Sequence, residues 1–131
     1  MFKDTKAFSS FSVNDLDAAK RFYAETLGVV VRRSPEGLAL MIAGGGKVFI
    51  YPKEDHTPAT FTVLNFTVDD IDAAVRELKS QGVEFESYDG EMQTDANNIF
   101  RGTEKGEAAG PNIAWFKDPA GNFLSVIEDK E

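Results

Sequence analysis

Eleven residues near the start of this 131-residue chain recur 55 positions later. Phe11-Ser12-Val13-Asn14-Asp15-Leu16-Asp17-Ala18-Ala19-Lys20-Arg21 returns as Phe66-Thr67-Val68-Asp69-Asp70-Ile71-Asp72-Ala73-Ala74-Val75-Arg76. Seven positions are identical, and three of the other four are Ser/Thr, Asn/Asp and Leu/Ile exchanges. A repeat at this spacing predicts two copies of one supersecondary unit, neither able to bury its apolar face alone. Equivalent positions in the copies are then expected to face each other across any site between them.

Each copy carries the same local signals. A β-like run, Ala7 to Val13 or Thr60 to Val68, leads into Asp15 or Asp70 at the place of a helix N-cap. Asp17 and Asp72 add negative charge to the first helical turn. Leu16, Ala19, Tyr23 and Leu27 in one copy, and Ile71, Ala74, Val75 and Leu78 in the other, then follow helical spacing. Gly28 and Gly82 stand where helices end. Three strands are expected after each glycine: Val29 to Arg33, Leu38 to Ala43 and Lys47 to Tyr51 in the first copy, and Val83 to Tyr88, Asn112 to Lys117 and Asn122 to Glu128 in the second. Ser34-Pro35-Glu36-Gly37 and Asp118-Pro119-Ala120-Gly121 supply turns. Each copy therefore reads βαβββ. One long irregular stretch, residues 89–111, holds Gly90, Gly102, Gly106 and Gly110, as a lid, a binding loop or a plain surface insertion would.

Several chemistries are excluded. The chain has no cysteine, so disulfides, thiolate metal sites and cysteine nucleophiles are out. Its 22 acidic against 14 basic residues leave a net −8 with no basic stripe, which argues against nucleic acid. No apolar run approaches the roughly 18 residues of a membrane span. Met1 to Lys6 is charged where a signal peptide is apolar, so a cytoplasmic location is expected. Gly44-Gly45-Gly46 leads into a strand rather than a helix and cannot act as a phosphate loop.

The paired βαβββ units, the Val-x-Asp-hydrophobic-Asp helix starts at Val13 and Val68, and Phe22-Tyr23 followed by Leu27-Gly28 form one set of motifs. With the late Phe116-Lys117-Asp118-Pro119-Ala120-Gly121-Asn122, they resemble the vicinal oxygen chelate superfamily of glyoxalases, bleomycin-resistance proteins and ring-cleaving dioxygenases. The resemblance covers almost the whole chain. It implies an α+β fold in which two tandem βαβββ modules, about 6–53 and 60–129, form an open, cup-shaped mixed β-sheet within a single domain spanning 1–131. It also implies a homodimer. In the metal-dependent branches it implies four ligands, typically two His and two Glu, from the first and last strand of each module.

Here those positions fall on Phe8, Val63, Ser125 and Ile50, with Tyr51 as the one-register alternative. They offer at most hydroxyls, where zinc or iron needs several His or carboxylate donors. The single histidine, His56, lies between the modules. No metal site and no cofactor are expected, and no catalytic residue is assigned. Alternation places Phe8, Ser10, Val63, Asn65, Phe123 and Ser125 in the cup, and turns Phe11, Val13, Leu64, Phe66, Leu124 and Val126 toward the helices. The cup is then either a small-molecule pocket or plain core, and a filled cup would leave Asn65 without a partner. Of Trp115 and Phe116, one is expected in the cup and the other under the helices. Arg101 is either a partner for an anionic ligand group or a solvated loop residue.

The function these residues suggest is a glyoxalase/bleomycin resistance-like small-molecule-binding protein that lacks the standard metal site. It would hold a hydrophobic or aromatic ligand against Phe8, Ser10, Ile50, Tyr51, Val63, Asn65, Arg101, Trp115, Phe123 and Ser125. The alternative is a divergent metal-dependent lyase, isomerase or dioxygenase of the same superfamily.

Overall fold

A computed structural model describes residues 1–104 and 110–129; Gly106 and its neighbours in the long loop lie outside the described residues. The chain divides into two compact units, Met1–Pro58 and Ala59–Glu131, which correspond to the two modules. The first contains β1 (Ser9–Val13), α1 (Leu16–Arg21), β2 (Val30–Ser34), β3 (Gly37–Met41) and β4 (Lys47–Pro52). The second contains β5 (Thr62–Val68), α2 (Ile71–Ser80), β6 (Phe100–Arg101), β7 (Asn112–Lys117) and β8 (Phe123–Glu128).

The repeated aspartates start both helices in the same way. Asp15 and Asp70 are extended, and each carboxylate accepts from a backbone N–H three residues on, Ala18 and Ala73, at 3.1 Å. In the second module Glu128 also accepts from the Ile71 N–H, at 3.0 Å. The first helix does not stay regular. It widens into a π turn over Phe22–Thr26, where the Leu27 N–H reaches back to the Phe22 carbonyl at 2.9 Å. That turn holds Tyr23 fully buried, 6.3 Å from the Phe11 ring.

Each module has an open, mixed four-stranded sheet, ordered β1-β4-β3-β2 and β5-β8-β7-β6. The first strand of each lies parallel to the last, and the other pairs are antiparallel. Phe11, Val13, Leu38, Leu40, Val48 and Ile50 are buried on the helix side of the first sheet, and Ala114, Phe116, Leu124 and Val126 on that of the second. The expected alternation toward the helices holds at these positions.

One expected strand is replaced. Val83 to Tyr88 forms only a single bridge, Phe85 to Phe116, with the Glu86 N–H donating to the Trp115 carbonyl at 2.8 Å. The edge beyond β7 is taken instead by Phe100–Arg101 from the long loop. Asn98, at φ +68°, ties the two segments together. Its side-chain amide donates to the Ser87 hydroxyl at 2.8 Å and to the carbonyls of Phe85 and Glu86 at 3.5 and 3.4 Å. A side chain thus takes the acceptors that an extended edge strand would offer to a neighbour.

Candidate functional site

The far face of each sheet, turned from its own helix, carries the residues of interest. In the first module, register pairs Ser10 with Phe49 and Ser12 with Tyr51. Ile50 pairs with Phe11 and is fully buried on the helix side. The far-face position opposite Ser10 is therefore Phe49, one residue from the Ile50 expected there, with Tyr51 on the same face. Phe8 precedes β1 and is 57% exposed; its ring meets Phe49 edge-on at 6.5 Å, and the Lys47 ammonium sits 4.6 Å above it. His56 Nδ1 lies 2.6 Å from Ser12 Oγ, which docks the segment after β4 back onto the sheet.

In the second module the parallel pair β5–β8 sets Asn65 opposite Ser125, and β7 places Trp115 opposite Ser125 from the other side. The buried Ser125 hydroxyl donates to the Asn65 side-chain carbonyl at 2.5 Å. This overturns one argument for an open pocket, because Asn65 finds its partner inside its own sheet. Val63 falls in a register shift between Thr62 and Leu64, so Thr62 rather than Val63 stands opposite Phe123. Phe116 is fully buried, 5.3 Å from Phe85, which leaves Trp115 on the far face.

Around Trp115 lies a shallow depression of about 210 Å³. Trp115, Tyr88, Phe123 and Phe61 supply aromatic walls, and Met92, Thr60 and Thr62 complete the lining. The Tyr88 and Trp115 rings stand at 85° with centroids 5.4 Å apart. Partial burial, and then the negative charge of Glu86, push the Tyr88 phenol above its ordinary pKa, so it stays neutral. Of the residues expected to line a site, only Trp115 and Phe123 are among these walls. Tyr88 and Met92 come from the irregular stretch and the failed strand before it. Their one sequence signal was large apolar side chains set among aspartate, glutamate and glycine.

Arg101 is committed elsewhere. Its Nη2 and Nη1 donate to both oxygens of Asp72 on α2, at 2.6 and 3.1 Å, and its Nε donates to Asp95 at 2.9 Å. The guanidinium ties the long loop to the helix and is not part of the aromatic wall. Arg101's hydrogen bonds hold Asp72 below the usual carboxylate pKa. Burial pushes Asp95 up, but the Ile99 N–H, Arg101 and the Asn97 N–H outweigh it, so Asp95 also lies low. A carboxyl whose folded pKa is lowered stabilises the protein above its unfolded value, near 3.8, and that stabilisation is lost as pH falls through the folded value. Thermal denaturation from about pH 5 down to about pH 2 should therefore show a shallower acid loss for Arg101→Met than for the parent. The difference should be modest, because both carboxylates are more than one-third exposed.

The positions where the resemblance implies metal ligands hold Phe8, Val63, Phe49 and Ser125. The one oxygen donor is the Ser125 hydroxyl, already bonded to Asn65, and this set does not fit zinc or iron. Among the described residues no three His, Asp or Glu side chains converge in a way that could hold an ion.

Solved structures with the same fold are numerous. The chain is similar to a glyoxalase family protein from Enterococcus faecalis, with 23% identity, 98% of this chain and 100% of that one covered, and a TM-score of 0.68. It is also similar to TnmS3, an antibiotic binding protein from a Streptomyces species, with 22% identity, 95% and 97% covered, and a TM-score of 0.61. FosX, a fosfomycin resistance protein from Listeria monocytogenes, is 15% identical, with 96% and 93% covered and a TM-score of 0.67. No curated protein matches by sequence. The family profile of the Glyoxalase/Bleomycin resistance protein/Dioxygenase superfamily matches residues 8–126, nearly the whole chain. With both βαβββ modules in place, the chain belongs to that superfamily.

Proposed function

We propose that the protein binds a planar, largely apolar organic molecule without a metal, on the far face of its second module. The observation that carries this is the four-ring wall around Trp115, open to solvent and with no charged residue among those that line it. Apolar walls with a few polar groups are the usual makeup of a small-molecule site. Each ring contact adds about 0.5–1.5 kcal/mol beyond area burial, so three or four contribute about 1.5–6 kcal/mol, and apolar burial has to supply the rest of the roughly 8 kcal/mol of a micromolar complex. TnmS3, an antibiotic binding protein of the same fold, supports a small-molecule role. A homodimeric state, on the family resemblance, and a cytoplasmic location, on the charged Met1–Lys6 segment, complete the proposal; sedimentation mass checks the first.

Trp115 is the chain's single tryptophan, so its fluorescence reports on this site alone. Saturable quenching by some members of a panel of planar apolar compounds is expected, and a flat response across the panel would refute the proposal. Phe61 is 68% exposed at the rim. Phe61→Ser should weaken binding about fivefold or more while shifting thermal stability by no more than about 0.5 kcal/mol, as is usual at an exposed position.

A further inference from the structure

We infer that the ligand presents an organic ammonium group to the aromatic wall, an inference that rests on the binding role proposed above. Tyr88 and Trp115 meet edge to face at 85°, and with Phe61 and Phe123 they line the depression as an aromatic box. Aromatic faces carry negative potential, and several rings around one space are how proteins hold quaternary ammonium groups. Phe123 already has a cation on its ring: the Lys117 ammonium stands 5.0 Å from the centroid, with Glu86 3.7 Å away to offset its charge.

The charge distribution is a second, independent observation. Residues 59–131 carry 15 acidic and 6 basic side chains, whereas residues 1–58 carry 7 and 8. The acidic excess of the chain therefore lies entirely in the module that holds the box. The segment forming one wall, Glu86-Ser87-Tyr88-Asp89-Gly90-Glu91-Met92, has three acids and no base. Such a field concentrates small cations and repels anions. Without a carboxylate in the lining, the box binds the cation through ring faces and still accepts the apolar part of the same molecule.

Three probes test this by Trp115 quenching: phenyltrimethylammonium, its neutral isostere tert-butylbenzene, and the anion benzoate. The cation should bind about tenfold tighter than the isostere, as two or three partly desolvated ring contacts allow, and benzoate should bind weakest. Tyr88→Leu, on a half-exposed loop, should weaken the cation more than the isostere and bring the ratio of the two to within about threefold. Equal binding of cation and isostere, tighter binding of benzoate, or an unchanged ratio in Tyr88→Leu would overturn the ammonium inference and leave the apolar pocket standing. Failure of all three probes to bind would overturn both.

Discussion

Gly37→Ala should destabilise the protein by about 3 kcal/mol or more, and lower the thermal midpoint by roughly 10 °C. A methyl group at Gly37 would lie 2.1 Å from the Ile50 carbonyl oxygen, 3.1 Å from its carbonyl carbon and 3.1 Å from Phe49 Cζ. Only the last of these belongs to a side chain that can turn away. Ile50 sits in β4, between β1 and β3, where it pairs with Phe11 on one side and Leu38 on the other. Moving its backbone by the ångström needed would disturb two strand pairings and the fully buried Leu38 and Ile50 side chains. Thermal and urea denaturation of the purified variant give the number. A loss under about 1 kcal/mol would mean that β4 is much softer than a central strand should be.

Asp118→Ala should have an effect of similar size in the second module, about 2–4 kcal/mol. The Asp118 carboxylate is 4% exposed and accepts three hydrogen bonds: from the Ala120 N–H at 3.0 Å, the Asn122 N–H at 2.9 Å and the Asn122 side-chain amide at 3.0 Å. Its own N–H donates to the Asn122 carbonyl at 3.0 Å, which closes the turn between β7 and β8. Alanine would remove the acceptor that the Asn122 N–H and side-chain amide use here, in a residue only 2% exposed. Asp118→Asn keeps one acceptor oxygen and should lose about half as much. One of the motifs that carry the family resemblance thus has a structural job here, and ligand binding at Trp115 should survive in whatever fraction of the variant stays folded.

The parts of this fold that could be read from sequence are those set by local chemistry. The two N-caps at Asp15 and Asp70 have nearly the same backbone angles, −138°, 104° and −133°, 101°, because the same short motif makes the same bond. Gly28 and Gly82 end their helical segments at φ +72° and +90°, which only glycine adopts readily. Alternation along β8 correctly separated Leu124 and Val126 from Phe123 and Ser125.

What could not be read depended on partners distant in sequence. Val83 to Tyr88 has the pattern of a strand, but Asn98 captures its carbonyls, and nothing local announces that. Aligning Gly46 with Gly121 puts Ile50 where Phe49 belongs: residues 42–46 and 118–122 are turns of equal length, so Gly45, at φ +94° against +87° for Gly121, is the true equivalent, and only pairing with β1 shows which glycine of the run to choose. The shift that sets Thr62 opposite Phe123 is likewise a property of two strands together. The candidate site suffered most, since Tyr88 and Met92 reach it from irregular backbone that no periodicity describes.

The central claim is that the aromatic wall of the second module binds an organic ligand with no metal involved. Its most direct test is a Trp115 quenching titration with one binding compound, repeated after exhaustive dialysis against a chelator. The same dissociation constant and one site per chain before and after chelation are predicted. Binding that disappears on chelation and returns with one equivalent of zinc, nickel, manganese or iron would contradict the claim and make the protein a metal-dependent member of its superfamily.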